Sequence, residues 1–164
     1  MVTVKKSFLS VLLLLFLSFL FSGCSKTNPL KGASEVDLNS KLPVQLEYRQ
    51  FIYNCEISYT AGVLQIDFCN NKSFPDGFSY TCDSEHCTFS YEGIVKEYSR
   101  SELPADFMPV VLYDFFSGLG EVIVTEAYDS TKECSYIKRT VNASFVTLEA
   151  YKRGEATAYN IVVN

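Results

Sequence analysis

The chain has no tryptophan and only one histidine, His86, in 164 residues. One imidazole gives little scope for a histidine-rich zinc site or for a nucleophile relay built on several histidines. Positive charge is also scarce: 14 Lys and Arg stand against 19 Asp and Glu. Nucleic acids and anionic lipid surfaces are bound through an excess of basic side chains, so neither is an expected partner. The segment Gly118-x-Gly120 lacks the third glycine and the following helix that a phosphate loop requires. No serine stands at nucleophile-elbow spacing. After residue 24 there is no second long apolar run, and no further membrane span is expected. These absences point away from an enzyme and imply neither a cofactor nor a metal.

The first long apolar run is informative. Lys5 and Lys6 precede an apolar core from Phe8 to Phe21, and the small residues Ser22 and Gly23 lead to Cys24. A positive start, an apolar centre and a small-residue end form an export signal. The run is short for a spanning helix, which needs roughly 20 residues. Leu20-Phe21-Ser22-Gly23-Cys24 resembles the lipobox of bacterial lipoproteins, with Phe21 in place of the usual Leu or Val. In that family the signal is cut before the cysteine, whose thiol carries a diacylglyceryl group. The expectation is therefore a signal peptide over 1–23 and lipidation at Cys24. The product would sit on the extracytoplasmic side of a bacterial cell membrane. An ordinary secretory signal and a single uncleaved anchor are the alternatives.

Ser25 to Lys41 is polar, small and without periodicity. It reads as a flexible tether, and 24–45 is set apart from a single domain over 46–164. Within that domain Phe51, Tyr53, Cys55, Ile57 and Tyr59 alternate with more polar residues, and Leu64, Ile66 and Phe68 alternate again. Period-2 alternation predicts strands, joined by a tight Ala61-Gly62 turn. That register puts Ile57 opposite Ile66, and Cys55 opposite Phe68. Asn70 to Gly77 is turn-rich. Phe78-Tyr80-Cys82 and Cys87-Phe89-Tyr91 form a second pair, around Asp83 to His86, and Ile94 to Tyr98 extends it.

Asp106 to Gly118 predicts one helix, with Asp106 as its cap, Pro109 in its first turn and Gly118 as its stop. Val111 and Leu112 recur four residues on as Phe115 and Phe116, while Tyr113, Asp114 and Ser117 fall on the other side. Strand periodicity returns over Val122 to Tyr128, Cys134 to Val141, Phe145 to Tyr151 and Thr157 to Val163. The expected fold is α+β: an antiparallel, strongly curved sheet, a half-barrel, wrapping one main helix at about 106–118.

Five cysteines follow Cys24, an odd number, so at least one thiol is free or pairs between molecules. Cys82 and Cys87 face each other in the expected hairpin, within disulfide reach. A metal site using His86, or unpaired packing thiols, are the other readings of this cluster. Zinc would need about four ligands, more than the loop supplies. The aromatic residues Phe51, Tyr53, Phe78, Tyr80 and Phe89, with Val111 and Phe115 of the helix, form either an ordinary core or an apolar pocket between sheet and helix.

The lipobox, the polar tether, the paired strands, Gly77-Phe78, Tyr91-x-Gly93 and Leu103-Pro104 before a helix together resemble small Firmicutes-type lipoproteins. Their half-barrel is that of the lipoprotein carrier LolA and of mycobacterial glycolipid-binding lipoproteins. The resemblance covers roughly residues 46 to 164. It implies a membrane-anchored protein that either shelters a hydrophobic ligand or lipid under its sheet, or has a filled core and supports another envelope protein.

Overall fold

The computed structural model describes residues 36–69, 77–118, 127–153 and 156–164. The signal segment and Cys24 lie outside these residues, as do 70–76 of the turn-rich connection and 122–126 of the strand expected from Val122.

Ten strands form one sheet: β1 (Leu42–Tyr48), β2 (Phe51–Thr60), β3 (Val63–Phe68), β4 (Ser79–Cys82), β5 (His86–Tyr91), β6 (Ile94–Ser99), β7 (Ala127–Asp129), β8 (Cys134–Val141), β9 (Ser144–Arg153) and β10 (Ala156–Val163). A short 3-10 turn, Arg100–Glu102, and one helix, α1 (Met108–Ser117), lie between β6 and β7. The order across the sheet is β6-β5-β4-β3-β2-β1-β10-β9-β8-β7. Strands β1 to β6 and β7 to β10 are two meanders.

The tight turns dictate the meanders. Ala61-Gly62 and Glu92-Gly93 both carry positive φ at their two central positions. That backbone matches the twist of paired strands and fixes their register. Ile57 therefore faces Ile66, and Cys55 faces Phe68, as the alternation requires. Arg49-Gln50 and Asn142-Ala143 make the same kind of turn with little help from glycine.

The sheet differs from the expected one in three ways. It is mixed, because β1 and β10 run parallel. Hairpins force antiparallel neighbours, but these two strands are joined through the rest of the chain, and no turn constrains their direction. It is also neither closed nor strongly curled, so it is not a pronounced half-barrel. A ten-residue helix is only about 15 Å long, and β6 lies beyond its cover with almost every residue exposed. Lastly, the fold starts before residue 46. β1 is a central strand, Val36 and Leu38 pack on the core, and the Tyr59 N–H donates to the Leu38 carbonyl at 2.8 Å. Pro43 hides this strand in the sequence, since proline is rarely central in a sheet.

One face of the sheet is apolar and carries α1. Leu46, Ile57, Leu64, Ile66, Ile137, Leu148 and Ile161 are fully buried there against Val111, Leu112 and Phe115. The helix is held at both ends by polar contacts. Asp106 does not cap it; Phe107 occupies that position without a side-chain bond. The Asp106 carboxylate pairs with Arg49 instead, and its carbonyl accepts from the Tyr48 hydroxyl at 2.9 Å. At the other end Arg139 donates to the Phe115 carbonyl at 3.2 Å, favourable at the negative pole of a helix. Gly118 makes this possible, since a Cβ there would overlap the Arg139 guanidinium. Arg139 thus turns inward, while Lys138 lies over the Phe145 ring. Tyr113, expected on the exposed side, is buried under the Arg100 guanidinium, 4.4 Å from the ring centre, and beside Tyr59. Arg100 also pairs with Asp114 at 2.7 Å, and Asp114 accepts from Asn142 at 2.8 Å. This chain ties the β6 exit to the helix and the β8–β9 turn.

Candidate apolar groove at the sheet edge

The interior under α1 is filled. Val111 and Phe115 have no exposed surface, Tyr53 and Tyr80 have almost none, and the four pack into one continuous core. The expected pocket between helix and sheet is therefore absent at these residues. Close packing of Val and Phe side chains leaves no room for a ligand there.

Space opens farther out. Beyond the end of α1, a groove of about 550 Å³ runs along the β5–β6 edge. Phe78, Phe89 and Phe107 are among its walls, with Tyr91, Ile94, Tyr98, Leu103 and Pro104. Its size suits a small-molecule site, typically about 300–1,000 Å³. Strand register builds it. Phe89 faces Lys96, Tyr91 faces Ile94 and Cys87 faces Tyr98, so all six side chains share the helix-bearing face of the sheet.

A ladder of aromatic rings supports the groove. Tyr53 meets Phe68 edge-on at 5.7 Å, Phe68 meets Tyr80 at 5.6 Å, Tyr80 meets Phe89 at 5.0 Å and Phe89 meets Tyr98 at 5.1 Å. Edge-to-face pairs of this kind fix ring orientation. Phe107, just before α1, leans on Tyr80 at 6.0 Å and on Phe89 at 5.9 Å. Of the residues expected to line a pocket, Phe78 and Phe89 do so. Tyr53 and Tyr80 are the layer behind them. Phe51 is 58% exposed where β2 leaves its turn. The sequence reading missed Phe107, Lys96 and the β6 apolar residues as a site. Their signal was a strand with Ile94 and Val95 at its start and no second strand to cover it.

Cys82 and Cys87 are joined by a disulfide across the β4–β5 pair. Both sulfurs are thereby consumed, and of that cluster only His86 keeps a free ligating atom. Among the described residues no group of three His, Cys, Asp or Glu is placed to hold a metal. Asp83 closes the loop. Its carboxylate accepts from the Glu85 and His86 backbone N–H groups at 2.7 and 2.8 Å, which lower its pKa from the ordinary value. The disulfide fixes the base of the groove through the Cys87–Tyr98 pair. Replacing both cysteines by alanine should lower stability by roughly 2 kcal/mol, the loop-closure value for so short a ring. Urea unfolding of the two proteins measures the difference.

Two other thiols are buried, Cys55 in the core and Cys134 near the opposite edge. Burial pushes the Cys55 pKa up to about 12. Burial and then the nearby Glu149 carboxylate raise that of Cys134. Nucleophilic cysteines require the thiolate at neutral pH, so neither is set up for catalysis. Glu149 is nearly buried and is held by Lys132 at 2.8 Å and by the Tyr151 hydroxyl.

Among the described residues no helix is long and apolar enough to cross a membrane. The chain matches no protein-family model, and neither a curated protein nor a solved structure gives a significant match.

Proposed function

We propose that this is a lipid-anchored, non-enzymatic binding protein of a bacterial cell envelope, which holds a hydrophobic ligand in the β5–β6 groove. Cys24 is its attachment point. One sheet bearing one helix on its apolar face agrees with the resemblance to LolA-type lipoproteins. The filled interior and shallow sheet depart from that half-barrel and move the site to the edge. The observation carrying this reading is the groove itself: a continuous apolar surface beside rigid, mutually packed rings. Such surface is seldom left open on a monomer without a use. The full chain purified from its own host should release a small hydrophobic molecule in native mass spectrometry. The molecule should be missing from an Ile94→Asp variant, a change at a site 64% exposed that leaves the core untouched. Wild-type protein without any such molecule would overturn the reading.

A second reading, support of another envelope protein, has its own observation. Phe51, Ile52, Ile94, Val95 and Phe145 are all at least half exposed. All begin strands that leave turns at the same end of the sheet.

A further inference from the structure

The groove has one charged wall. Lys96 lies opposite Phe89 on β6, with Ile94 and Tyr98 on either side of it on the same face. No carboxylate lines the groove. Glu97 alternates to the other face of the sheet. Lys138 lies over the Phe145 ring and Arg139 donates to the Phe115 carbonyl, while four other cations of the described residues pair with carboxylates: Lys41 with Asp67, Arg49 with Asp106, Arg100 with Asp114 and Lys132 with Glu149. Lys96 joins none of these pairs. An ammonium on an edge strand also discourages pairing with another sheet, but that role needs no apolar groove beside it.

We propose that the groove takes a single-chain amphiphile with an acidic head, such as a long-chain fatty acid, its carboxylate on Lys96 and its chain along Phe89, Phe107 and Phe78. This rests on the reading of the groove as a ligand site and adds the class of ligand. The volume falls in the lower half of the small-molecule range, which suits one alkyl chain. The apolar walls take the chain without specificity, since apolar burial has no direction. The ammonium supplies orientation, because a charge-assisted bond to a carboxylate is stronger than one between neutral groups. The head stays at the solvent-exposed lip, where ionisation is retained.

Two photoactivatable probes of equal chain length test this: palmitic acid and hexadecanol, each with a diazirine in the chain. The full chain is reconstituted in phosphatidylcholine nanodiscs and irradiated with either probe, and labelled residues are located by mass spectrometry. The acid should label the Phe89–Tyr98 segment of wild type. Lys96→Gln should reduce that labelling roughly fivefold, the scale of an exposed ion pair, and Lys96→Arg should restore it. Labelling by the alcohol should not change with either variant. Comparing each variant with wild type under the same probe removes differences in how the probes partition into the disc. Equal labelling of wild type and Lys96→Gln by the acid would overturn the acidic head while leaving the groove as a ligand site. Absence of groove labelling by both probes would overturn the ligand reading and this inference with it.

Discussion

Changing Cys24 to alanine should abolish metabolic incorporation of palmitate and leave a protein heavier by its uncleaved first 23 residues. In the lipoprotein family that the lipobox resembles, the thiol carries the diacylglyceryl group and the signal is cut before that same cysteine, so losing the sulfur removes the acceptor for the first step and alters the site of the second. The wild-type chain should instead start at a diacylated Cys24 and resist extraction from membranes by salt or alkali. Two chains hold firmly where one is marginal, at about 0.8 kcal/mol for each buried methylene. The three readings of this segment separate cleanly by intact mass. An ordinary secretory signal gives a cleaved, unlabelled chain in both proteins. An uncleaved anchor gives the precursor mass in both, without label. The lipoprotein gives a labelled, processed wild type and an unlabelled, unprocessed variant. The consequence for the domain is geometric. A lipid at Cys24 would lie a dozen residues before Val36, which packs on the core. Fully extended, such a link would reach about 40 Å.

Local chemistry made the strands legible. Tyr53, Cys55 and Ile57 alternate inward because one face of the sheet is buried, and Ala61-Gly62 sets the register that the structure has. Met108 to Ser117 lies within the expected helix, and Gly118 ends it. What was not legible depends on partners remote in sequence. β1 reads as tether because Lys41, Pro43 and Gln45 are polar or helix-breaking. They point away from the core while Leu42, Val44 and Leu46 point into it. The parallel β1–β10 pair joins residues more than a hundred positions apart, and no turn announces it. Asp106 has the composition of a helix cap, yet Arg49 from the β1–β2 turn takes its carboxylate.

The candidate site shifted for a related reason. Alternation identifies which side chains face the helix side of the sheet, but not how far the helix reaches. Phe51, Tyr80, Phe89 and Tyr98 share one face; only those beneath α1 are sealed by it. Core and groove are thus one apolar surface, closed in the middle and open at the β5–β6 edge. The ring ladder runs through both, and the groove needs no separate motif to form.

Alkali should destabilise the protein progressively from about pH 9 upward. Cys55 is 1% exposed, and its thiol pKa rises from 9.0 to about 12 through desolvation, with the neighbouring Cys69 and Asp67 adding to it. Tyr80 rises from 10.0 to about 12, again by burial first. Above pH 9 the unfolded chain releases the Cys55 proton while the folded protein keeps it, so stability falls as pH rises. The slope is about 1.4 kcal/mol per pH unit for each such group, and Cys55 alone forfeits roughly 4 kcal/mol over its window. That is a large part of the 5–15 kcal/mol that holds a typical domain together. Tyr80 adds to the loss above pH 10. Lys132 acts in the same sense: the hydrogen bond it donates to Glu149 raises its pKa, so its stabilising pair is intact below 10.5 and is lost as pH climbs through the folded value. Cys82 and Cys87 contribute nothing here, being bonded to each other. Urea unfolding at about pH 8, 9 and 10 should show a steepening loss in wild type. Cys55→Ala starts from lower stability, because it empties a buried site, but should lose close to one proton's worth of slope between pH 9 and 10. An unchanged slope in that variant would mean that Cys55 ionises in the folded protein, and that the sheet opens around β1 and β2 before the chain unfolds.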